Sequence, residues 1–276
     1  MRSKVSFAQL EGLSGLGKLV AVDGSLFDCL PQMVWALYRS ESNKVKAHFF
    51  YEILSGLPDK MVVTSGKGDE RKVLEEHFLP YTTYIVDRGY LDFSLFERML
   101  KLKGDFVTRA KDNLNFKVLQ SHPLSAEHVL VGVESDQTIE LTGAKAPQLR
   151  LRLVTYRFSK TKSYRYLTTR FDLDALTVVR LYLYRWDIEL FIGWIKGHLQ
   201  FDHWYSQCEN GVLIQLYAGL ITFLLLKLFS ALGESSKFSV LNRQSLRWLK
   251  RHLFERLEDH EVEANLTRLI DLGSPT

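Results

Sequence analysis

Two short apolar runs, each closed by an aspartate, limit the folds open to this chain more than any other feature. Lys18 to Asp23 reads Lys-Leu-Val-Ala-Val-Asp and runs into Gly24. Thr83 to Asp87 reads Thr-Tyr-Ile-Val-Asp and runs into Arg88 and Gly89. Runs of β-branched and aromatic residues this short, bounded by turn residues, predict buried strands. A carboxylate at the tip of such a strand lies where α/β folds gather their chemistry. Further strands are expected at Val45 to Ile53, Lys60 to Thr64 and Asp105 to Arg109, with helices at Glu70 to Leu79 and Leu91 to Leu102.

From residue 111 to 169 the texture changes. Val, Ile, Leu, Thr and Tyr alternate with polar residues and are broken by Asn113, Pro123, Gly132, Gly143 and Pro147. This predicts a β-rich insertion, with Leu149 to Tyr156 and Ser163 to Thr169 as its clearest strands. One long helix is expected from Asp174 to Gln200, then an apolar helix at 211–232, then a basic amphipathic helix from Arg243 to Arg256. The expected division is 1–110 and 170–232 for a core, 111–169 for the insertion, and 233–276 for a helical tail.

The chain has 276 residues, 46% of them hydrophobic, enough for a packed core. Its net charge of +4 permits a polyanionic partner without requiring one. Cys29 and Cys208 form neither a zinc spacing nor a disulfide framework, so a reducing cytoplasm is expected, with both thiols structural. The first residues lack the apolar stretch of a secretory signal. The segment 211–232 is long enough to span a bilayer, but it carries Gln215, Tyr217 and Thr222, and a core helix is expected instead of a membrane span. Gly12 to Lys18 fits a GxxxxGK pattern, yet Leu19 stands where a phosphate-binding loop needs Ser or Thr, and the stretch precedes a strand where such a loop follows one.

Within the long helical stretch lie Tyr182, Arg185, Glu189 and Lys196, spaced Y-x2-R-x3-E-x6-K. On one continuous helix these four would fall within an arc of roughly 60°. One carboxylate would then share a face with two cations and a phenol. Alone, a strand-end aspartate is ordinarily a turn residue, and Arg185 with Glu189 an ordinary i,i+4 pair. The joint pattern says more. Asp23, Asp87 and Glu189 are hard oxygen donors suited to Mg²⁺, and Arg88, Arg185 and Lys196 supply cations nearby in sequence. Two such ions would serve phosphoryl transfer.

On these residues the chain resembles DDE transposases of the insertion sequence four family, which carry the YREK signature. The matching pieces are Val22 to Ser25, Ile85 to Tyr90, and Tyr182, Arg185, Glu189 and Lys196, with Ile188 to Phe191 and Trp194 to Lys196 around them. The resemblance implies an α/β, ribonuclease H-like catalytic core with a β-rich insertion before the final catalytic helix, then C-terminal helices. It implies Asp23, Asp87 and Glu189 as catalytic ligands of Mg²⁺ (or Mn²⁺), and Tyr182, Arg185 and Lys196 as DNA contacts. It also implies double-stranded DNA partners, both transposon ends and target, and a homodimer in the DNA complex. Arg88, Lys160, Lys162 and Arg165 are further candidate DNA contacts, the last three because aromatics interleave with cations from Arg152 to Tyr166. The expected function is cleavage of transposon-end DNA and strand transfer into a target. The alternatives are an inactive or truncated DNA-binding remnant and a different two-metal nuclease. Family members usually carry a further N-terminal domain, whereas Asp23 arrives early here, so a catalytic fragment or a truncated copy is expected.

Overall fold

The computed structural model describes residues 15–39, 42–142, 149–198 and 203–232. The basic helix expected at 243–256 lies outside them, as do residues 12–14 of the GxxxxGK stretch. In chain order the elements are β1 (Lys18–Asp28), β2 (Leu37–Arg39), β3 (Ser42–Glu52), β4 (Leu57–Ser65), α1 (Glu70–Glu76), β5 (Thr82–Val86), α2 (Phe93–Lys101) and β6 (Asp105–Arg109). There follow β7 (Phe116–Ser121), α3 (Ala126–Val131), β8 (Val133–Leu141), β9 (Arg150–Ser159), β10 (Lys162–Thr168), α4 (Ala175–Tyr184), α5 (Trp186–His198) and α6 (Glu209–Leu232). The chain is mixed α/β, with much of it in sheet.

These elements form two compact units. Among the described residues, the first unit comprises 15–22 and 71–185, and the second 23–70 and 186–232.

In the first unit, residues 18–22 of β1 run parallel to β5, and β5 runs parallel to β6. Parallel strands are covered on both faces, and all five residues of β5 are buried. Beyond β6 the direction reverses: β10 is antiparallel to β6, and β9, β8 and β7 follow in antiparallel order. The β-rich stretch therefore continues the sheet of β5 and β6. Asp92 caps α2 by accepting from the Ser94 and Leu95 N–H groups. The same helix buries Leu95, Phe96 and Met99, and Phe96 stacks on Phe106 of β6 with ring centroids 3.8 Å apart. Ser125 and His128 form a capping box at α3, a helix not expected within the insertion.

Helix α4 is fixed by a buried charge network. Arg152 of β9 donates to Asp136 of β8 through Nε (2.8 Å) and Nη2 (2.6 Å), and both residues are 6% exposed. Its remaining nitrogen, Nη1, donates to the carbonyls of Arg170 (3.2 Å) and Leu173. Arg170 in turn pairs twice with Asp172 and donates to Thr83 Oγ1 (2.6 Å) and Leu16 O (3.1 Å). The next residue, Asp174, caps α4 at the Leu176 N–H (2.9 Å) and meets His128 Nε2 at 2.7 Å. Seven of the ten residues of α4 are then buried.

In the second unit, β3 and β4 form an antiparallel hairpin whose turn uses Gly56 at φ 62°, a left-handed conformation that suits glycine. The later part of β1 lies beside β3, and the Cys29 N–H donates to Asn43 O (2.9 Å). Helix α5 inserts Phe191 against Phe49 (5.3 Å) and Tyr51 (5.4 Å). Phe223 of α6 closes on Phe191 (4.8 Å) and Trp194 (5.1 Å). Trp194 is buried.

Three expectations need correction. Strand β1 does not end at Asp23: it runs on through Asp23 and Gly24 to Asp28, so Asp23 lies inside the strand and not at its tip. The stretch from Asp174 is two helices, broken at Arg185. The Arg185 N–H donates to Tyr182 O at 3.1 Å, an i to i−3 bond that tightens the last turn. No Pro or Gly lies between residues 175 and 192, so composition carries no sign of the break. Helix α6 is only half buried: Val212, Leu216, Leu220 and Phe223 face inward, while Ile214, Ile221 and Leu225 are exposed. Its span Glu209–Lys227 is long and apolar enough to cross a membrane by length and composition, yet Tyr217 donates to Met61 O of β4.

Removing one partner of a buried ion pair leaves an uncompensated charge and costs about 3–5 kcal/mol. Arg152→Ala is therefore expected to lower unfolding free energy in urea by about that amount, and the double variant Arg152→Met with Asp136→Leu by less. Equal losses in the two variants would contradict this account of the pair.

Candidate functional site

Asp87 follows Val86, the last residue of β5, whose register partner in β6 is Thr108. Its Oδ1 accepts the Gly89 N–H at 2.8 Å, and its carbonyl accepts the Thr108 hydroxyl at 3.1 Å. A Cβ at position 89 would come within 2.9 Å of Asp87 Oδ1. The Asp-Arg-Gly order thus has a local reason: the glycine lets the backbone fold back onto the carboxylate. Arg88, between them, is exposed and lines an open concavity with Gly89, Lys111, Asp112 and Asn113.

Tyr182 and Arg185, at the end of α4, belong to this same unit. Both are largely buried, at 7% and 8% exposure. The Tyr182 ring packs 4.9 Å from that of Tyr166, and the Arg185 guanidinium lies 5.5 Å from the Tyr182 ring centre. Burial raises the Tyr182 phenol pKa; Arg185 and Arg109 oppose this by charge, Arg185 also by a hydrogen bond, and the Asp87 charge adds to the rise. Asp87, Arg109, Tyr182 and Arg185 thus form one electrostatic neighbourhood. The sequence reading missed Arg109. It closes β6 as Asp87 follows β5, so the strand-tip argument applied to Asp87 would have found it.

Asp23 and Glu189 belong to the second unit. Asp23 Oδ1 accepts the Gly24 N–H at 2.8 Å. A Cβ on Gly24 would fall 2.6 Å from Glu70 Oε1, a carboxylate paired with Lys46 at 3.1 Å. Glu189 lies in the first turn of α5, where the helix dipole favours a negative charge. Lys196, near the other end of α5, lies over the Phe27 ring at 5.1 Å. Much of its side chain reaches solvent, but crowding around the ammonium lowers its pKa, while Asp28 and Asp23 pull it back up. Tyr182 and Arg185 therefore go with one unit, and Glu189 and Lys196 with the other. A single continuous helix face does not describe them.

Two further groups in the second unit were not foreseen. Burial pushes the Asp187 carboxyl up to about 6 against the pull of Lys227, and burial lowers the Lys227 ammonium. Cys29 is half-buried, and its thiol is pushed up to about 11, mainly by burial. Cys208 is exposed instead, and a hydrogen bond with Ser206 leads the groups that lower its pKa.

The remaining candidate DNA contacts are on the first unit. Lys160 lies exposed in the turn joining β9 and β10. Lys162 lies over the Tyr164 ring at 5.2 Å. Arg165 donates to the carbonyls of Lys111 (2.9 Å) and Asp112 (2.8 Å), bracing the loop that lines the concavity. As metal donors, Asp23, Asp87 and Glu189 are chemically suited: they are partly exposed carboxylates, one within β1, one just past the end of β5 and one at a helix start. Among the described residues, no three His, Cys, Asp or Glu side chains form a group able to hold a metal ion.

Residues 15–225 match the family described as the transposase DDE domain. The chain belongs to this family. One relative, from Geobacillus stearothermophilus, is described as "Probable transposase for insertion sequence element IS5377"; it is 30% identical over 198 residues, 71% of this chain and 52% of its own. A second, the Sinorhizobium fredii protein y4zB, also carries a transposase name and is 28% identical over 83% of this chain and 65% of its own. The chain thus spans about half to two thirds of these relatives. A piggyBac transposase solved in a synaptic complex with hairpin DNA aligns with 94% of this chain and 58% of its own, at 13% identity and a TM-score of 0.46. That likeness carries no argument.

Tyr182→Phe keeps the ring and removes the hydroxyl that bonds Arg185. It is expected to cost about 1 kcal/mol in urea unfolding. A loss several times larger, or none, would show that the hydroxyl does not anchor Arg185.

Proposed function

We propose that this chain is the catalytic core of a DNA transposase of the insertion sequence four type. In this reading the core is ribonuclease H-like, interrupted by the β-rich stretch 111–169 and followed by C-terminal helices. The order β1, β3, β4, α1, β5, α2, β6, with β5 and β6 parallel to the start of β1, supports that fold. The observation that carries the functional reading is the β1–β5 register. Its last pair is Val22 with Val86; an aspartate follows each in sequence, Asp23 within β1 and Asp87 just past the end of β5. Family membership gives those two carboxylates a purpose that an isolated strand-end aspartate lacks.

Asp23, Asp87 and Glu189 would hold Mg²⁺ or Mn²⁺. When bound, such ions supply Lewis-acid stabilisation of the attacking and leaving oxygens. Water attacks a phosphodiester at the transposon end, one P–O bond forms as another breaks, and a 3′-hydroxyl is released. That hydroxyl then attacks a target phosphodiester, again forming one P–O bond and breaking one. Each transfer-step bond replaces another of the same kind, so no external energy source is required. Arg185, held over Tyr182, and Lys196 would steady phosphates beside the carboxylates; Arg88, Lys160, Lys162 and Arg165 would contact the flanking duplex. The reaction would take place on cytoplasmic DNA, with two copies of the chain handling the two ends.

The test is cleavage of a duplex carrying the ends of the element that encodes the chain, in Mg²⁺ or Mn²⁺. Wild type is expected to cleave, and Asp23→Asn, Asp87→Asn and Glu189→Gln each to slow cleavage on the order of 100- to 1,000-fold. Any of the three cutting at the wild-type rate would remove that residue from the proposed site. Absence of metal-dependent cleavage by wild type would overturn the reading.

A further inference from the structure

We propose that Arg109 is a phosphate-holding residue for the DNA strand that passes Asp87, locked in place by the ring of Tyr164. The inference rests on the reading of the chain as a DNA-processing enzyme and adds to it a contact of defined mode. Thr108 is paired with Val86, and one residue further on stand Arg109 and Asp87. Asp87 lies just past the end of β5, and both it and Arg109 act by charge on the Tyr182 phenol, so Arg109 stands in the neighbourhood of the proposed catalytic aspartate.

On its other side Arg109 faces Tyr166 of β10 in register. Its guanidinium lies 4.8 Å from the ring centre of Tyr164, the diagonal neighbour two residues earlier on that strand. At that range the ring quadrupole attracts a cation. Lys162 approaches the same ring at 5.2 Å, and Phe158 meets it at 5.3 Å. No ion pair joins Arg109 to a carboxylate among the described residues. A guanidinium of fixed orientation is suited to gripping a phosphate with two parallel hydrogen bonds.

This arrangement changes the meaning of the aromatics between β9 and β10. Interleaved aromatics and cations can also serve stacking on unpaired bases. In the folded protein the Tyr164 ring is instead covered by its own cations. The contact at this place is to the backbone, so it is insensitive to base sequence and does not favour single strands.

The experiment is fluorescence anisotropy of a short labelled duplex with the full chain, in EDTA, across a salt series. Unfolding curves confirm that each variant is folded. Arg109→Gln is expected to weaken binding about tenfold at moderate salt. The slope of log affinity against log salt should fall by about 0.9, one phosphate contact. Arg109→Lys should keep the slope, because the charge remains, with affinity between the two. Tyr164→Phe should match wild type, whereas Tyr164→Leu should weaken duplex binding as the guanidinium loses its platform. A wild-type slope for Arg109→Gln overturns the inference while leaving the proposed function standing. So does a Tyr164→Leu defect confined to single-stranded DNA, which would assign base stacking instead. If wild type shows no salt-dependent DNA binding, the functional reading fails and this inference fails with it.

Discussion

The buried pair of Arg152 and Asp136 is the interaction on which the first unit most depends. It joins adjacent strands and also satisfies two carbonyls of the connection entering α4. Arg170, on that connection, reaches Thr83 of β5 and the chain just before β1. The position of α4 on the sheet is therefore set by hydrogen bonds at its first turn as well as by its apolar face. Its last turn carries Tyr182 and Arg185. A charge network at the start of α4 thus governs where Tyr182 and Arg185 are presented. Such a pair adds little net stability over an apolar replacement, and its use here is to fix one geometry.

The strand tips of the first unit are built from cations set against aromatic rings. Arg185 lies over Tyr182, Arg109 and Lys162 over Tyr164, and Arg165 over Phe116 at 5.9 Å. Each ring limits where its cation can go without neutralising it. An arrangement of that kind orients positive charge before a polyanion arrives, so less ordering remains to be done on binding. The second unit uses the same device once at its candidate site, with Lys196 over Phe27.

Much of this was legible in the sequence because the strands are short, apolar and sharply bounded. The strand starting at Lys18, the run before Asp87 and the strand Asp105 to Arg109 needed only β-propensity and turn residues to be recognised. The continuation of β1 to Asp28 was not legible, because Asp-Gly reads as a strand end; Gly89 was legible as a turn residue, whereas Gly24 reads as one and lies within β1. Their closer reason, room for the Asp87 carboxylate and for Glu70, depends on atoms brought together by folding. The break at Arg185 was not legible, since a local i to i−3 bond replaces any helix-breaking residue. The exposure of one face of α6 was hidden as well, because Ile214, Ile221 and Leu225 read like core positions until β4 and α5 show which face they cover. Arg109 was overlooked because an arginine ending a strand carries no motif. Its importance comes from Tyr164 and Tyr166, more than fifty residues away in sequence.

The central claim is that Asp23, Asp87 and Glu189 share one divalent-metal site in the working enzyme. Replacing Mg²⁺ with Fe²⁺ and adding hydrogen peroxide, with ascorbate to regenerate the Fe²⁺, generates hydroxyl radicals at the bound ion, and these cut the nearest backbone. Mapping the fragments then reads the ligands directly, without needing a DNA substrate. The account predicts cuts near Asp23, Asp87 and Glu189 together, all suppressed by excess Mg²⁺. Cuts elsewhere, or a pattern missing any one of the three under saturating metal, would contradict it.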